Sequence, residues 1–102
     1  MTHYCVFRLD RTDGKAAEIR AATRPDHLAF MKGYAGRVLI GGPLLDADGN
    51  AHGGMMGIEA ESEAEVREIL SRDPFEVAGL SATIEISPSR WQTNRPAHLP
   101  PL

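Results

Sequence analysis

Val38-Leu39-Ile40-Gly41-Gly42-Pro43-Leu44, then Asp46-Ala47-Asp48-Gly49-Asn50, then His52-Gly53-Gly54-Met55-Met56-Gly57-Ile58-Glu59-Ala60: this stretch decides the fold. The first segment is apolar and partly β-branched, and reads as a strand. Pro43 has no N–H to give to a ladder, so the strand lies at a sheet edge there or ends there. The polar Asp-Gly segment has hairpin-loop chemistry, and residues 52–60 form the returning strand. Three glycines weaken that strand and point to close approach of something to its backbone.

Working outward, each side of the hairpin carries a helix and then a strand. Upstream, Thr23-Arg24-Pro25-Asp26 combines a hydroxyl cap, a first-turn proline and an acid near the positive dipole end. The expected helix runs to about Ala35 and stops at Gly36. Residues 11–23 read as a loop with at most a helical turn around Ala16–Arg20. His3–Asp10 reads as the first strand, with Cys5, Phe7 and Leu9 on one face and Tyr4, Val6 and Arg8 on the other. Downstream, Ser62-Glu63-Ala64-Glu65 is a capping box. Its helix points Val66, Ile69 and Leu70 inward and cannot pass Pro74. Leu80–Ser87 alternates as a last strand, with Leu80, Ala82, Ile84 and Ile86 facing in. Regular structure is expected to stop near Pro88. The chain therefore divides into a domain over residues 1–90 and a Pro-rich tail over 91–102, with Trp91 to pin the tail.

The order is β-α-β-β-α-β, an α+β, ferredoxin-like arrangement with a four-stranded antiparallel sheet. Two helices cover one sheet face only. The face carrying Tyr4 and Val6 is expected to pair with a second copy, unless it is amphipathic and wet, as Ser81, Thr83 and Glu85 would permit.

Topology turns this order into chemistry. With right-handed crossovers, the start of the first helix and the end of the second share one rim. His27, in the expected first turn of the first helix, and Asp73, just past the second, are thereby brought together. An acid beyond a helix C-terminus meets the negative dipole end and has no local reason there. A histidine in a first turn feels positive potential that favours neutral imidazole. A neutral imidazole oriented by a carboxylate is what a general base near neutral pH requires. The bland readings are that Asp73 is a turn former or cap for the Pro74-Phe75-Glu76 turn and that His27 is a partly buried residue bonded to a carbonyl. Arg24, one turn before His27, could steer an anion or be an ordinary surface arginine. Phe75 and the Gly42-Pro43 turn would wall the cleft, with Gly42 letting a ligand approach the backbone.

Composition removes other classes. With 42% apolar and 25% charged residues the chain is an ordinary globular domain rather than a disordered or fibrous one. A net charge of −3 offers no basic stripe, so nucleic acid is not an expected partner. Residues 52–60 also lack the aromatic and basic pattern of RNA-binding domains of the same strand order. The longest run free of charged or strongly polar residues, Val38–Leu45, is too short to span a bilayer, so no membrane partner is expected. The start has no secretory pattern and Cys5 has no partner within the chain, which suits a cytoplasmic protein. Asp46-x-Asp48-x-Asn50 lacks the glycine and glutamate of a calcium loop, Gly41-Gly42-Pro43 lacks the residues of a phosphate loop, and His3-x-Cys5 has no second ligand pair for zinc. Neither a metal nor a cofactor is expected. Cys5 reads as an inert strand residue.

Tyr4 and Val6, Arg24-Pro25-Asp26-His27-Leu28, Gly41-Gly42-Pro43, the Asp-Gly hairpin, Gly57, Ser62–Glu65, Asp73-Pro74-Phe75 and Ala78-Gly79-Leu80 occur in an order and spacing that resembles the YciI-like (YCII-related) family. The resemblance covers nearly all of the chain up to Trp91. It implies a ferredoxin-like fold pairing as a dimeric α/β barrel, with His27 and Asp73 as a catalytic dyad in a cleft of each protomer. It also implies lyase, isomerase or dehydrochlorination chemistry on chlorinated or hydroxylated intermediates of aromatic-ring degradation. The Pro-rich tail departs from the shorter members of the family. Two readings follow: a homodimeric enzyme in which His27 moves a proton and Asp73 orients it, or a non-catalytic module that binds a small molecule or only its twin.

Overall fold

The computed structural model describes residues 1–99; the end of the expected tail, residues 100–102, lies outside them. Strand β1 (Thr2–Asp10) leads into helix α1 (Ala16–Lys32), the hairpin β2 (Val38–Leu45) and β3 (Ala51–Ala60), helix α2 (Glu63–Ser71), a one-turn helix α3 (Pro74–Val77) and β4 (Ser81–Ser89). The sheet order is β2-β3-β1-β4, with every neighbouring pair antiparallel. This is the ferredoxin-like arrangement. Both proline-bearing strands are edges: Pro43 in β2 and Pro88 in β4 leave no gap in an interior ladder.

The core lies between one sheet face and the helices. Tyr4, Val6, Met56, Ile58 and Ala60 from the sheet meet Val66, Ile69 and Leu70 from α2, with Phe30, Met31 and Tyr34 of α1 at the margin. The Ser62 hydroxyl accepts from the Glu65 N–H at 3.1 Å and starts α2 as the capping box predicts.

Three expectations are corrected. Helix α1 begins at Ala16, not at Thr23, and Pro25 lies inside it. The alanine-rich run from Ala16 to Ala22 has enough helix propensity to carry the helix through a residue that cannot donate to the carbonyl four positions back. It ends at Lys32, before Ala35, and the Gly33 N–H bonds the Phe30 carbonyl. Secondly, the face bearing Tyr4 and Val6 is the core; the open face carries Phe7, Leu9 and Ile40, which are 43%, 45% and 39% exposed. Finally, β4 continues through Pro88 to Ser89, because an edge strand needs no proline N–H on its solvent side.

The chain after β4 folds across the open face. Trp91 lies on Gly57, where a Cβ would stand only 2.7 Å from the indole. The His98 Nε2–H donates to the Leu39 carbonyl at 3.3 Å, and Leu99 is buried. Glycine at position 57 is therefore a packing requirement of this strap.

Candidate functional site

Helix α1 buries none of its residues, although it is the longest element. It packs on α3 and stands off the β2–β3 side of the sheet. The gap is a cleft of about 620 Å³, within the usual range for small-molecule sites. Ala21, Arg24, His27, Leu28 and Met31 line it from α1, and Gly41, Gly42, Pro43, Gly54 and Met56 from the sheet. Arg8, Arg20 and Phe75 close its inner end.

His27 and Asp73, 46 positions apart, meet inside this cleft with Nδ1 2.8 Å from Oδ1. They do not meet through helix ends. His27 lies in the middle of α1, so the expected first-turn potential does not act on it. Asp73 does have a local role: it is the N-cap of α3, and its Oδ1 also accepts from the Phe75 N–H at 3.0 Å. The Arg8 Nη1–H donates to Oδ2 at 2.9 Å. Asp73 is fully buried, whereas the His27 side chain remains 17% exposed.

Burial by itself would push the Asp73 carboxyl up. The hydrogen bonds from His27, Arg8 and the Phe75 N–H, with the Arg8 charge, outweigh it and hold the carboxyl below its ordinary range. Ionised, it can only accept, so the ring hydrogen facing it belongs on Nδ1. Nε2 is then the unprotonated nitrogen of the neutral ring, and no described residue bonds to it. Phe75 stacks on the imidazole, with ring centroids 4.0 Å apart and planes at 17°. This fixes the ring from the side that Asp73 does not reach.

Arg20 repeats the pattern at the end of β1. Its Nε and Nη2 donate to the buried Asp10 carboxylate at 2.7 and 2.8 Å, Nη2 also reaches the Gly53 carbonyl, and the guanidinium sits 5.4 Å from the Phe75 ring centre. Arg24 lines the cleft without a carboxylate partner among the described residues. Gly42, Pro43 and Phe75 line it as well. Sequence reading missed Arg8 and Arg20. The signal was present in Arg8, a charged residue alternating with Tyr4 and Val6: once that face is core, a buried guanidinium requires a carboxylate.

The YCII-related domain profile matches residues 2–91. The chain belongs to the YCII-related family. A family relative from Emericella nidulans, derivative of benzaldehyde biosynthesis cluster protein C, is 41% identical over 71 residues, spanning 61% of this chain and 72% of that protein. Among solved structures, the 5-chloro-2-hydroxyhydroquinone dehydrochlorinase of Burkholderia phenoliruptrix, determined with 2,5-dihydroxybenzoquinone, superimposes with a TM-score of 0.76 at 32% identity. The match covers 88% of this chain and 93% of that one. A NIPSNAP family protein from Agrobacterium tumefaciens shares the fold at a TM-score of 0.56 and 17% identity, over 93% and 96% of the two chains. In this YCII-related chain no helix among the described residues is long and apolar enough to cross a membrane.

Proposed function

We propose that the protein is a small homodimeric enzyme that moves a proton on a small polar, ring-derived metabolite, with lyase, isomerase or dehydrohalogenase outcome. The 2.8 Å contact between His27 Nδ1 and an ionised, fully buried Asp73 carries this reading, because it leaves Nε2 as a base in an open cleft. Nε2 takes a proton from the substrate. The electron pair left behind moves into the substrate and either expels a leaving group with its bonding pair or is reprotonated at another atom. Asp73 holds the tautomer and stabilises the imidazolium that forms. Arg24 attracts the anionic group, and Gly42, Pro43 and Phe75 shape the space around it. The likeness to a dehydrochlorinase supports this class.

Pairing through the open sheet face accounts for three exposed apolar side chains, Phe7, Leu9 and Ile40, on one surface. Light scattering should give twice the chain mass; a monomer at micromolar concentration would remove the dimer from this reading. The unpaired thiol of Cys5 suits a reducing cytoplasm.

The reaction is tested with 5-chloro-2-hydroxyhydroquinone under anaerobic conditions, following chloride release. His27→Asn should lower the rate by roughly 10²–10⁴-fold while the fold persists. Turnover that survives in His27→Asn would remove His27 as the base, and ligand binding without chloride release by wild type would leave a ligand-binding module in place of an enzyme.

A further inference from the structure

The glycines of β3 divide into two kinds. A Cβ at Gly53 would stand 2.4 Å from the Arg8 carbonyl, and at Gly57 2.7 Å from Trp91, so packing demands glycine at both. Gly54 is different. It sits mid-strand between Arg8 of β1 and Pro43 of β2, and its Cβ would meet nothing nearer than the Gly42 carbonyl at 3.8 Å. Its φ is one that any residue adopts. A glycine there weakens the strand and gains nothing from its protein neighbours. Gly41, across on β2, is alike: a Cβ would make only ordinary contacts of 3.4 Å or more. Both line the cleft opposite His27.

The rest of the lining says what lies on this bare backbone. Arg8, Arg20 and Arg24 line the cleft, and among the described residues no aspartate or glutamate does. The Asp10 and Asp73 carboxylates that balance two of these arginines are buried behind them. One end is an aromatic wall, the stacked His27 and Phe75 rings. Bare peptide planes below, an aromatic wall beside and guanidinium donors at the inner end suit a flat anion rather than a branched or cationic molecule.

We propose that Gly54, with Gly41 beside it, is the specificity-determining floor of the cleft, kept free of side chains so that a planar anionic ring can lie on the sheet backbone. This rests on the proton-transfer reading above and narrows its substrate class. A Cβ at position 54 meets only the Gly42 carbonyl, so a side chain there takes up cleft volume and excludes the ring while leaving His27 and Asp73 in place.

The test compares two probes, 2,5-dihydroxybenzoquinone as the planar anion and malonate as a flexible acyclic one, by calorimetry on wild type, Gly54→Ala, Gly54→Val and His27→Asn. Gly54→Val should melt at or above the wild-type temperature, because a β-branched residue suits a strand interior. It should bind the quinone at least about tenfold more weakly, with Gly54→Ala between and malonate affinity unchanged. Quinone binding by Gly54→Val equal to wild type overturns the floor, as does an equal loss for both probes, or no quinone binding by wild type at millimolar concentration. Failure of the proton-transfer reading looks different: His27→Asn keeps turnover while Gly54→Val still excludes the quinone.

Discussion

Helix α2, of nine residues, drives Val66, Ile69 and Leu70 into the sheet; helix α1, of seventeen, buries none. Both lie on the core face, yet they differ in what faces them. Opposite α2 the sheet offers Tyr4, Val6 and Ile58, and the contact closes. Opposite α1 it offers Gly41, Pro43 and Gly54, and the contact stays open as the cleft. The small residues of β2 and β3 leave the space beneath α1 unfilled, and α1 is fastened by its packing on α3 and by the His27–Asp73 contact. One helix stabilises the fold and the other walls the cleft.

Substitutions should separate the two helices. Leu70→Ala, removing a side chain only 2% exposed on α2, should cost about 2–5 kcal/mol in denaturant unfolding. Leu28→Ala on α1, half exposed in the cleft, should stay within about 0.5 kcal/mol and act on ligand affinity instead. Equal losses at the two positions would show that α1 is packed like α2.

Asp73→Asn removes the charge that joins α1, α3 and β1. It should cost about 2–3 kcal/mol, since the Arg8 guanidinium loses its ionised acceptor and retains only Glu76, 3.7 Å away. The effect depends on pH. The folded carboxyl titrates below its unfolded value, so its charge favours the fold above that unfolded value, and the gain disappears as pH falls through the folded one. Wild type should lose stability on acidification below the ordinary carboxylate range, and Asp73→Asn should lose less. Parallel acid limbs for the two proteins would mean that the network contributes nothing. A smaller effect is expected at the other helix: Ser62→Ala removes the cap of α2 and should lower stability by about 1 kcal/mol in thermal melts, with affinity unchanged.

The hairpin was the most legible part of the chain. Asp46–Asn50 turns as its residues require, with Asp46 Oδ1 accepting from the Asp48 and Asn50 N–H groups. The strand order followed from it. Helix α1 was misread because the Thr23-Arg24-Pro25 signal is local, while the stronger alanine run before it begins the helix at a residue with no side-chain cap bond. His27 and Asp73 were found by topology, although helix-end potentials were the wrong reason: the carboxylate is turned toward the imidazole by its role as cap of α3. Arg20 escaped because residues 11–23 read as a loop rather than as helix, and Arg8 because its importance depends on which sheet face is core. Alternation along β1 does not decide that; the apolar stripe of α2 does. The strap over Gly57 was legible only as Trp91 in a proline-rich segment, since no periodicity says where such a segment lies.

The central claim is that Asp73 holds His27 in the tautomer whose free nitrogen faces the cleft. Heteronuclear NMR of the histidine rings at a pH where His27 is neutral tests it directly. The hydrogen should reside on Nδ1, with Nε2 unprotonated, and this preference should weaken in Asp73→Asn. A His27 ring protonated on Nε2 in wild type, or a tautomer unchanged by Asp73→Asn, would contradict the claim.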